Sequence, residues 1–130
     1  MKLGLLTAPF PDRDLNAVAD WAVGAGFGCL EVACWPREGA EARRYAGTSH
    51  IDVAGLSDAQ AQETVAALRD KGIEISGLGY YPNPLHADGA HRERVIGHLK
   101  AVIAAAARMG VPVVNSFVGG DRTLPLEENW

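Results

Sequence analysis

Apolar residues along this chain follow two alternating patterns, long stretches at helical spacing and short continuous runs. Three times a helical stretch ends in a glycine that precedes a short apolar run. With the run that opens the chain, the four runs are Leu3–Thr7, Cys29–Cys34, Ile73–Gly79 and Val111–Phe117. Strands that alternate with helices are typical of βαβ units and a parallel sheet. The pattern therefore predicts an α/β fold with parallel strands, a (β/α)4 arrangement that forms a single domain over residues 1–130.

The ends of the three predicted helices can also be read from the sequence. Asp12 or Asp14 can cap the first helix, and the S-x-x-Q pattern that starts at Ser57 is a capping box for the second. The third helix is predicted from about Asp88 to Met109. The apolar positions that we expect to face inward on this helix are Val95, Leu99, Val102, Ile103 and Ala106.

Composition and charge exclude several classes of protein. With 48% apolar and 22% charged residues, the chain has ordinary globular composition, and disorder is not expected. A net charge of −4 gives no electrostatic footprint for nucleic acid or an anionic membrane, so neither is an expected partner. No apolar stretch approaches the roughly 20 residues that span a bilayer, and the first residues lack the features of a secretory signal.

The two cysteines, Cys29 and Cys34, both lie in the second predicted strand. Side chains five positions apart on one strand point to opposite faces, so these two cannot bond to each other within it. Unpaired cysteines of this kind are typical of a reduced, cytoplasmic protein.

Strand parity predicts where polar chemistry lies. Alternate positions of the second strand are expected to pack on helices, and they are Leu30, Val32 and Cys34. Glu31 then faces the other side, the inside of a barrel, and the same parity in the fourth strand places Asn115 there. Burying an unpaired carboxylate costs several kcal/mol, so Glu31 must be paired, hydrated or used. The structural alternatives are a Glu31 that bonds a neighbouring strand and an Asn115 that caps a loop.

The carboxyl ends of the strands are where barrels and open parallel sheets carry their sites. In this chain they hold aromatic and hydrogen-bonding groups suited to a sugar site, namely Trp35, Tyr80, Tyr81, Asn83 and His86. Tyr81 also suits a stiff hydrophobic turn before Pro82, and His86 suits a solvated loop. Gly119 and Gly120 could cradle a phosphate with backbone N–H groups.

The segment from Trp35 to Gly55 lacks a clear period, and we expect it to form an ordered excursion over one face. It contains His50, while His91 and His98 are expected in solvent near the polar side of the third helix. A lone histidine without a second ligand at a fixed spacing is weak evidence for a metal. The residues themselves therefore predict no metal site in this chain.

Three stretches carry a resemblance to a known family, Gly28–Val32, Ile75–Leu85 and Val114–Gly119. At these positions the chain resembles the sugar phosphate isomerase/epimerase family, whose fold is the xylose isomerase-like TIM barrel. The resemblance covers essentially the whole chain but only the first four of the eight βα units of such a barrel.

The resemblance implies a metal-dependent isomerase or epimerase that acts on a small-molecule sugar or sugar phosphate. In the complete family barrel a divalent metal, Mn²⁺, Mg²⁺, Co²⁺ or Zn²⁺, polarises the sugar while carboxylates shuttle a proton. Its ligands come from later strands, so we expect this chain alone to bind no metal tightly and to be inactive. What the resemblance assigns to this chain is the wall of the substrate pocket, which comprises Glu31, Trp35, Tyr80, Asn83 and Asn115.

Other members of this fold leave alternatives open. Some are dehydratases of cyclic polyols, so the reaction class is not fixed. Apurinic-site endonucleases with a three-zinc centre are disfavoured, because Tyr80-Tyr81 and Ser116-Phe117 stand where zinc-binding histidines are expected and the charge is wrong for DNA.

A non-catalytic role, as a half-barrel binding or assembly module, is the competing class of function. An isolated (β/α)4 unit would expose its first and fourth strands as open edges, which favours association. We therefore expect a homo-oligomer, most simply a two-fold dimer that closes an eight-stranded barrel, or a complementing half-barrel.

Overall fold

The computed structural model describes residues 1–37 and 47–129 and shows one parallel sheet flanked by helices. Its strands are β1 (Gly4–Leu6), β2 (Cys29–Ala33), β3 (Glu74–Gly79) and β4 (Val114–Asn115). They pair in chain order, β1-β2-β3-β4, and each pair is parallel. The predicted parallel α/β fold is thereby confirmed. Each strand is shorter than the apolar run that predicted it, most of all β4.

Three helices connect the strands, and a short 3-10 turn follows the last strand. They are α1 (Leu15–Gly24), α2 (Asp58–Asp70) and α3 (Gly89–Met109), with the turn at Leu126–Glu128. Much of the predicted excursion after Trp35, including Arg43, Arg44 and Tyr45, lies outside the described residues.

The predicted helix ends are found in the structure. Asp14 caps α1, and Ser57 and Gln60 form both halves of the capping box at the start of α2. Past their ends the chain turns through glycines with left-handed backbone, Gly26, Gly72 and Gly110, whose φ angles are 86°, 81° and 67°. Because only glycine adopts such angles at little cost, these residues fix where each helix stops and the next strand begins.

The core lies between one face of the sheet and the helices. It contains the helix-facing residues of β2 and β3 together with apolar residues of all three helices, among them Val18, Leu30, Val32, Leu68, Leu78 and Val102. On α3, Val95, Val102 and Ala106 are buried as predicted, but Ile103 is 52% exposed. The prediction that Ile103 faces inward is wrong, because the helix surface that packs on the sheet centres on Val102 and Ala106.

The pairing of β2 with β3 contains a register shift. Leu30 pairs with Ile75, but the next residue, Glu31, pairs with Gly77, so that Ser76 is skipped. The Ser76 hydroxyl donates to the Leu30 carbonyl at 3.0 Å and thereby provides a partner inside this irregularity. The shift sets glycine rather than serine opposite Glu31.

None of the helices in the described ranges is long and apolar enough to span a bilayer.

Candidate functional site

Three side chains from three strands meet at the carboxyl end of the sheet. The Asn115 amide on β4 donates to Oε2 of Glu31 on β2 at 2.7 Å. The Tyr81 hydroxyl, two residues past β3, donates to Oε1 of the same carboxylate. All three residues are partly buried. The prediction that Glu31 and Asn115 share one face of the sheet is confirmed, and we call these three residues the Glu31 cluster.

Two glycines of β3 make this meeting possible. β3 lies between β2 and β4, so the strands that carry Glu31 and Asn115 are about 10 Å apart, twice the usual spacing. A Cβ on Gly79 would lie 2.6 Å from Oε1 of Glu31, and a Cβ on Gly77 would lie 3.2 Å from the Asn115 amide nitrogen. Because β3 presents no side chains at these positions, Glu31 and Asn115 can reach across it and bond directly.

The electrostatics of the cluster favour a neutral donor beside a carboxylate. Burial, and then the hydrogen bond and charge of Glu31, raise the pKa of the Tyr81 hydroxyl above its ordinary value. The Tyr81 hydroxyl therefore stays protonated and donates a hydrogen bond to the Glu31 carboxylate. In the described ranges the ion pairs are Lys2–Glu74, Lys71–Asp20 and Arg108–Asp58, and none of them involves Glu31.

Two aromatic rings pack against Tyr81. Its ring centroid lies 5.7 Å from that of Trp35 and 5.1 Å from that of Phe117. Trp35 is 8% exposed and supports Tyr81 from within the core, whereas Phe117 is 62% exposed and offers its ring to solvent beside the cluster. Phe117 follows Asn115 by two positions, and alternate residues of a strand lie on the same face. The sequence spacing could therefore have placed Phe117 beside the cluster.

The structure places Tyr80 away from the cluster, on the helix side of the sheet. It is 3% exposed and its ring lies 4.6 Å from that of His98 on α3. As a substrate contact Tyr80 stays a prediction, and the geometry gives the inward position to its neighbour Tyr81. The signal was present in the sequence, since the alternation Gly77, Leu78, Gly79, Tyr80 assigns Tyr80 to the same face as Leu78.

The expectation that His98 is solvated is wrong. Its Nε2 donates to the Cys34 carbonyl at 2.7 Å, and its ring packs on Tyr80. His98 lies three residues after Val95 and four before Val102, both buried, so helical spacing puts it on the packed face of α3. This contact fixes the exit of β2 against α3, directly before Trp35.

Asn83 uses its amide to hold the loop after β4. Its Nδ2 donates to the Gly120 carbonyl at 2.7 Å, and its Oδ1 accepts from the Gly120 N–H at 3.0 Å and from the Leu85 N–H at 2.9 Å. Both ends of the amide are thus engaged with main chain, and a role in substrate binding stays a prediction. The suggestion that Gly119 and Gly120 cradle a phosphate is wrong for Gly120, because its N–H is already bonded to Asn83.

Thr7, Thr48 and His50 bond main chain in a similar way at the β1 end of the sheet. Oγ1 of buried Thr7 accepts from the Ala33 N–H at 2.9 Å, and the Thr48 hydroxyl donates to the Ala8 carbonyl at 2.8 Å. Together with Asn83 we call these residues the main-chain clasps.

His50 joins the segment after β2 to the segment before α1. Its Nε2 lies 3.2 Å from the Phe10 carbonyl and 3.0 Å from the Arg13 carbonyl, so this nitrogen carries the proton and donates to both. Burial lowers the pKa of His50, which keeps the ring neutral.

The residues of the cluster do not fit a metal ion. Over residues 1–37 and 47–129 no three His, Cys, Asp or Glu side chains are grouped so as to hold one. The cluster contains a single carboxylate, and its two oxygens accept hydrogen bonds from Tyr81 and Asn115. What the arrangement supplies chemically is a fixed, partly open hydrogen-bond acceptor.

A groove of about 470 Å³ lies elsewhere, between the start of α1 and α2. Its lining includes His50, Gln60 and Glu63 but none of the Glu31 cluster. Its lining contains no residue from β3, β4 or the segments that follow them, so we do not assign the functional site to it.

Comparisons with known proteins identify the family and the fold. The sequence profile described as "Xylose isomerase-like TIM barrel" matches residues 19–130. No curated protein sequence is significantly similar to the chain.

Solved structures resemble the chain in fold. The probable 3-DHS dehydratase AsbF of Bacillus anthracis, involved in petrobactin synthesis, is 17% identical, with a TM-score of 0.62 over 92% of this chain and 39% of that one. A Rhodospirillum rubrum protein provisionally named a xylose isomerase is 20% identical, with a TM-score of 0.62 over 93% of this chain and 40% of that one. The chain therefore spans about two fifths of the length of these structures.

Proposed function

The chain belongs to the xylose isomerase-like TIM barrel family, and on that premise we propose that it is the amino-terminal part of a metal-dependent sugar or sugar phosphate isomerase or epimerase. In this proposal the chain supplies one wall of the substrate pocket. The observation that carries it is the Glu31 cluster, which gathers a carboxylate, a phenol and an amide where β2, β3 and β4 end. Those ends are where barrels of this kind carry their sites.

The chain's own residues bind and orient the substrate in this scheme. The Glu31 carboxylate accepts hydrogen bonds from substrate hydroxyls, while Tyr81 and Asn115 hold it in place. The exposed ring of Phe117 packs against the apolar face of a sugar. Trp35 supports Tyr81 from behind. The wall thus fixes the position of the substrate, which is the part of catalysis that depends on orientation.

The divalent metal of the proposed enzyme, Mn²⁺, Mg²⁺, Co²⁺ or Zn²⁺, has no fitting set of ligands among the described residues. We therefore assign it to other parts of the complete barrel and assign no proton transfer to this wall. The further βα units come from the same polypeptide, from a complementing half-barrel or from a second copy. Free Cys29 and Cys34 support a reducing, cytoplasmic setting.

The test uses the complete protein in which this chain occurs, with Mn²⁺ and a panel of pentoses, hexoses and their phosphates in D₂O. An isomerase or epimerase that works by proton transfer exchanges the hydrogen next to the carbonyl with solvent, so NMR is expected to show deuterium at that carbon together with a second sugar. We expect Glu31→Gln to reduce kcat/KM by about tenfold or more, because a charge-assisted contact to substrate is lost.

Glu74→Gln is the matched control, since it makes the same chemical change on an exposed residue at the other end of β3. Loss of water from a cyclic polyol, without exchange into any sugar, would replace the proposal by a dehydratase. A complete protein that binds sugars without turnover would favour the non-catalytic module.

A further inference from the structure

Side chains in residues 1–37 and 47–129 occupy only half of the acceptor sites of the Glu31 carboxylate. A carboxylate offers about four acceptor sites, two on each oxygen. Tyr81 takes one on Oε1 and Asn115 takes one on Oε2, and the described ranges contain no other partner of the Glu31 carboxylate. The described residues therefore leave one acceptor site on each oxygen, and Glu31 is partly accessible to solvent.

The neighbours of Glu31 fix the direction of these remaining sites. Tyr81 is held by Trp35 and Phe117, and Asn115 is held in the β3–β4 ladder. A carboxylate bonded on both oxygens by groups on two different elements cannot rotate freely. Two acceptors at a fixed separation match two hydroxyl donors on adjacent carbons.

We propose that the Glu31 cluster is a subsite for a vicinal diol, the uncharged hydroxylated portion of a sugar or polyol. The proposal rests on the proposed function and adds which part of the substrate this wall contacts. Tyr81 is the positioning residue of the subsite, because it orients the Glu31 carboxylate, and that carboxylate is the group that contacts the diol.

The charge of the cluster disfavours a phosphate at the same place. Over residues 1–37 and 47–129 no cation is paired with Glu31, so these residues give the cluster a net negative charge. A phosphate here would meet a carboxylate of the same sign of charge, and the two would repel each other.

The experiment titrates the 130-residue chain with methyl β-D-ribofuranoside, which carries a cis-diol, and follows binding by saturation-transfer difference NMR. The 2-deoxy analogue, which lacks one hydroxyl of the pair, is the matched ligand. We expect it to bind about tenfold more weakly, as expected for the loss of one hydrogen bond to a charged group. Glu31→Gln should weaken binding of the diol by about the same factor, and Glu74→Gln should not change it. Inorganic phosphate at equal concentration should not displace the diol.

Tyr81→Phe tests positioning. This substitution should weaken binding of the diol and leave the weaker binding of the deoxy analogue almost unchanged. Only a contact from two hydroxyls at once needs a carboxylate held in one orientation. Equal weakening of both ligands would contradict that role.

Three results overturn the diol subsite: equal affinity for diol and deoxy analogue, displacement by phosphate, or diol binding that is unaffected by Glu31→Gln. If the variants do not fold, the wild-type chain with ¹³C-labelled glutamate still decides, since an assigned Glu31 carboxyl signal that does not move at saturating diol also overturns it. Diol binding at Glu31 in a complete protein without isomerase activity would remove the proposed function and leave the subsite. Isomerase activity with no diol contact at Glu31 would remove the subsite and leave the proposed function.

Discussion

The Glu31 cluster and the main-chain clasps are built from similar residues but bond in different ways. Thr7, Thr48, His50 and Asn83 each bond backbone groups, across as many as 40 residues, and so join loops to one another. Glu31 instead bonds the side chains of Tyr81 and Asn115 and keeps acceptor sites open. A polar side chain engaged with the backbone stabilises the fold, whereas one with unused acceptors is available to a ligand. The comparison predicts large stability effects where a clasp bond is broken and small ones in the cluster.

The largest loss of stability is expected from Gly119→Ala, which disrupts the hydrogen bonds of the Asn83 clasp. Gly119 has a φ of 76°, and a Cβ there would overlap Oδ1 of Asn83. The left-handed backbone and the broken hydrogen bonds together should lower the free energy of unfolding by about 3 kcal/mol. Urea unfolding monitored by circular dichroism measures this change.

Gly97→Ala is the control for that substitution. Gly97 lies inside α3, and a Cβ there meets nothing within 4 Å, so alanine should stabilise by about 0.5–1 kcal/mol. If the Gly119→Ala chain were as stable as the wild type, the Asn83 side chain would be able to move aside without loss of stability, which would contradict this prediction.

Thr7→Val is expected to have the next largest effect. Thr7 is fully buried, and its hydroxyl is the partner of the Ala33 N–H. Valine keeps the shape but leaves that N–H unsatisfied, which should cost about 2 kcal/mol in the free energy of unfolding. Thr123→Val, at an exposed hydroxyl, should change it by less than about 0.5 kcal/mol. Equal effects at the two sites would contradict the assignment of Thr7 to a clasp.

Glu31→Gln should leave stability within about 1 kcal/mol of the wild type, because the glutamine oxygen accepts from one partner while its NH₂ donates to the other, either to the Tyr81 hydroxyl oxygen or to Oδ1 of Asn115 after a rotation of that amide. Its clear effect is on Tyr81, whose pKa should fall toward the ordinary value once the carboxylate charge is gone. The pKa should stay above that value, because burial is the larger cause of its increase. Absorbance at the tyrosinate band during alkaline titration measures it.

The titration is made in a Tyr80→Phe background, since burial also raises the pKa of Tyr80. Glu74→Gln in the same background is the control and should leave the titration unchanged. An unaltered Tyr81 titration in Glu31→Gln would mean that the two groups do not interact in solution.

The smallest effect concerns pH and His50. Its pKa in the folded chain lies below the unfolded value near 6.5, so the unfolded chain binds the proton more readily. The neutral ring's contribution to stability is complete above that value and is lost as the pH falls through the folded pKa. Urea unfolding between pH 8 and pH 5 should show this loss, and His50→Gln should reduce the slope. A slope unaffected by the substitution would assign it to other groups.

Much of the fold could be predicted because its signals are local. The capping box at Ser57, the left-handed glycines and the apolar runs each act within a few residues. Errors arose where an outcome depends on packing between elements. His98 and Ile103 are both on α3, and which of them is buried depends on the rotation of the helix against the sheet.

The candidate site was predictable in part for the same reason. Parity alone placed Glu31 and Asn115 on one face, and applied to β3 it would have assigned Tyr81, not Tyr80, to that face. The engagement of Asn83 with Gly120 links residues 37 positions apart. No local pattern encodes such a contact, so the sequence could not separate a clasp from a substrate contact there.

The skipped residue in β3, Ser76, has a consequence for how this site can change. Leu30 and Glu31 are adjacent on β2, whereas their partners Ile75 and Gly77 are separated by Ser76, so Ser76 is the one extra residue of a bulge. Deleting Ser76 would leave a regular ladder in which Gly77 still lies opposite Glu31 and Gly79 opposite Ala33, and neither face of the strand would change. The pairing that holds the two glycines beneath Glu31 and Asn115 therefore does not depend on the residue at position 76. Related chains could lose this residue and still keep the pocket wall.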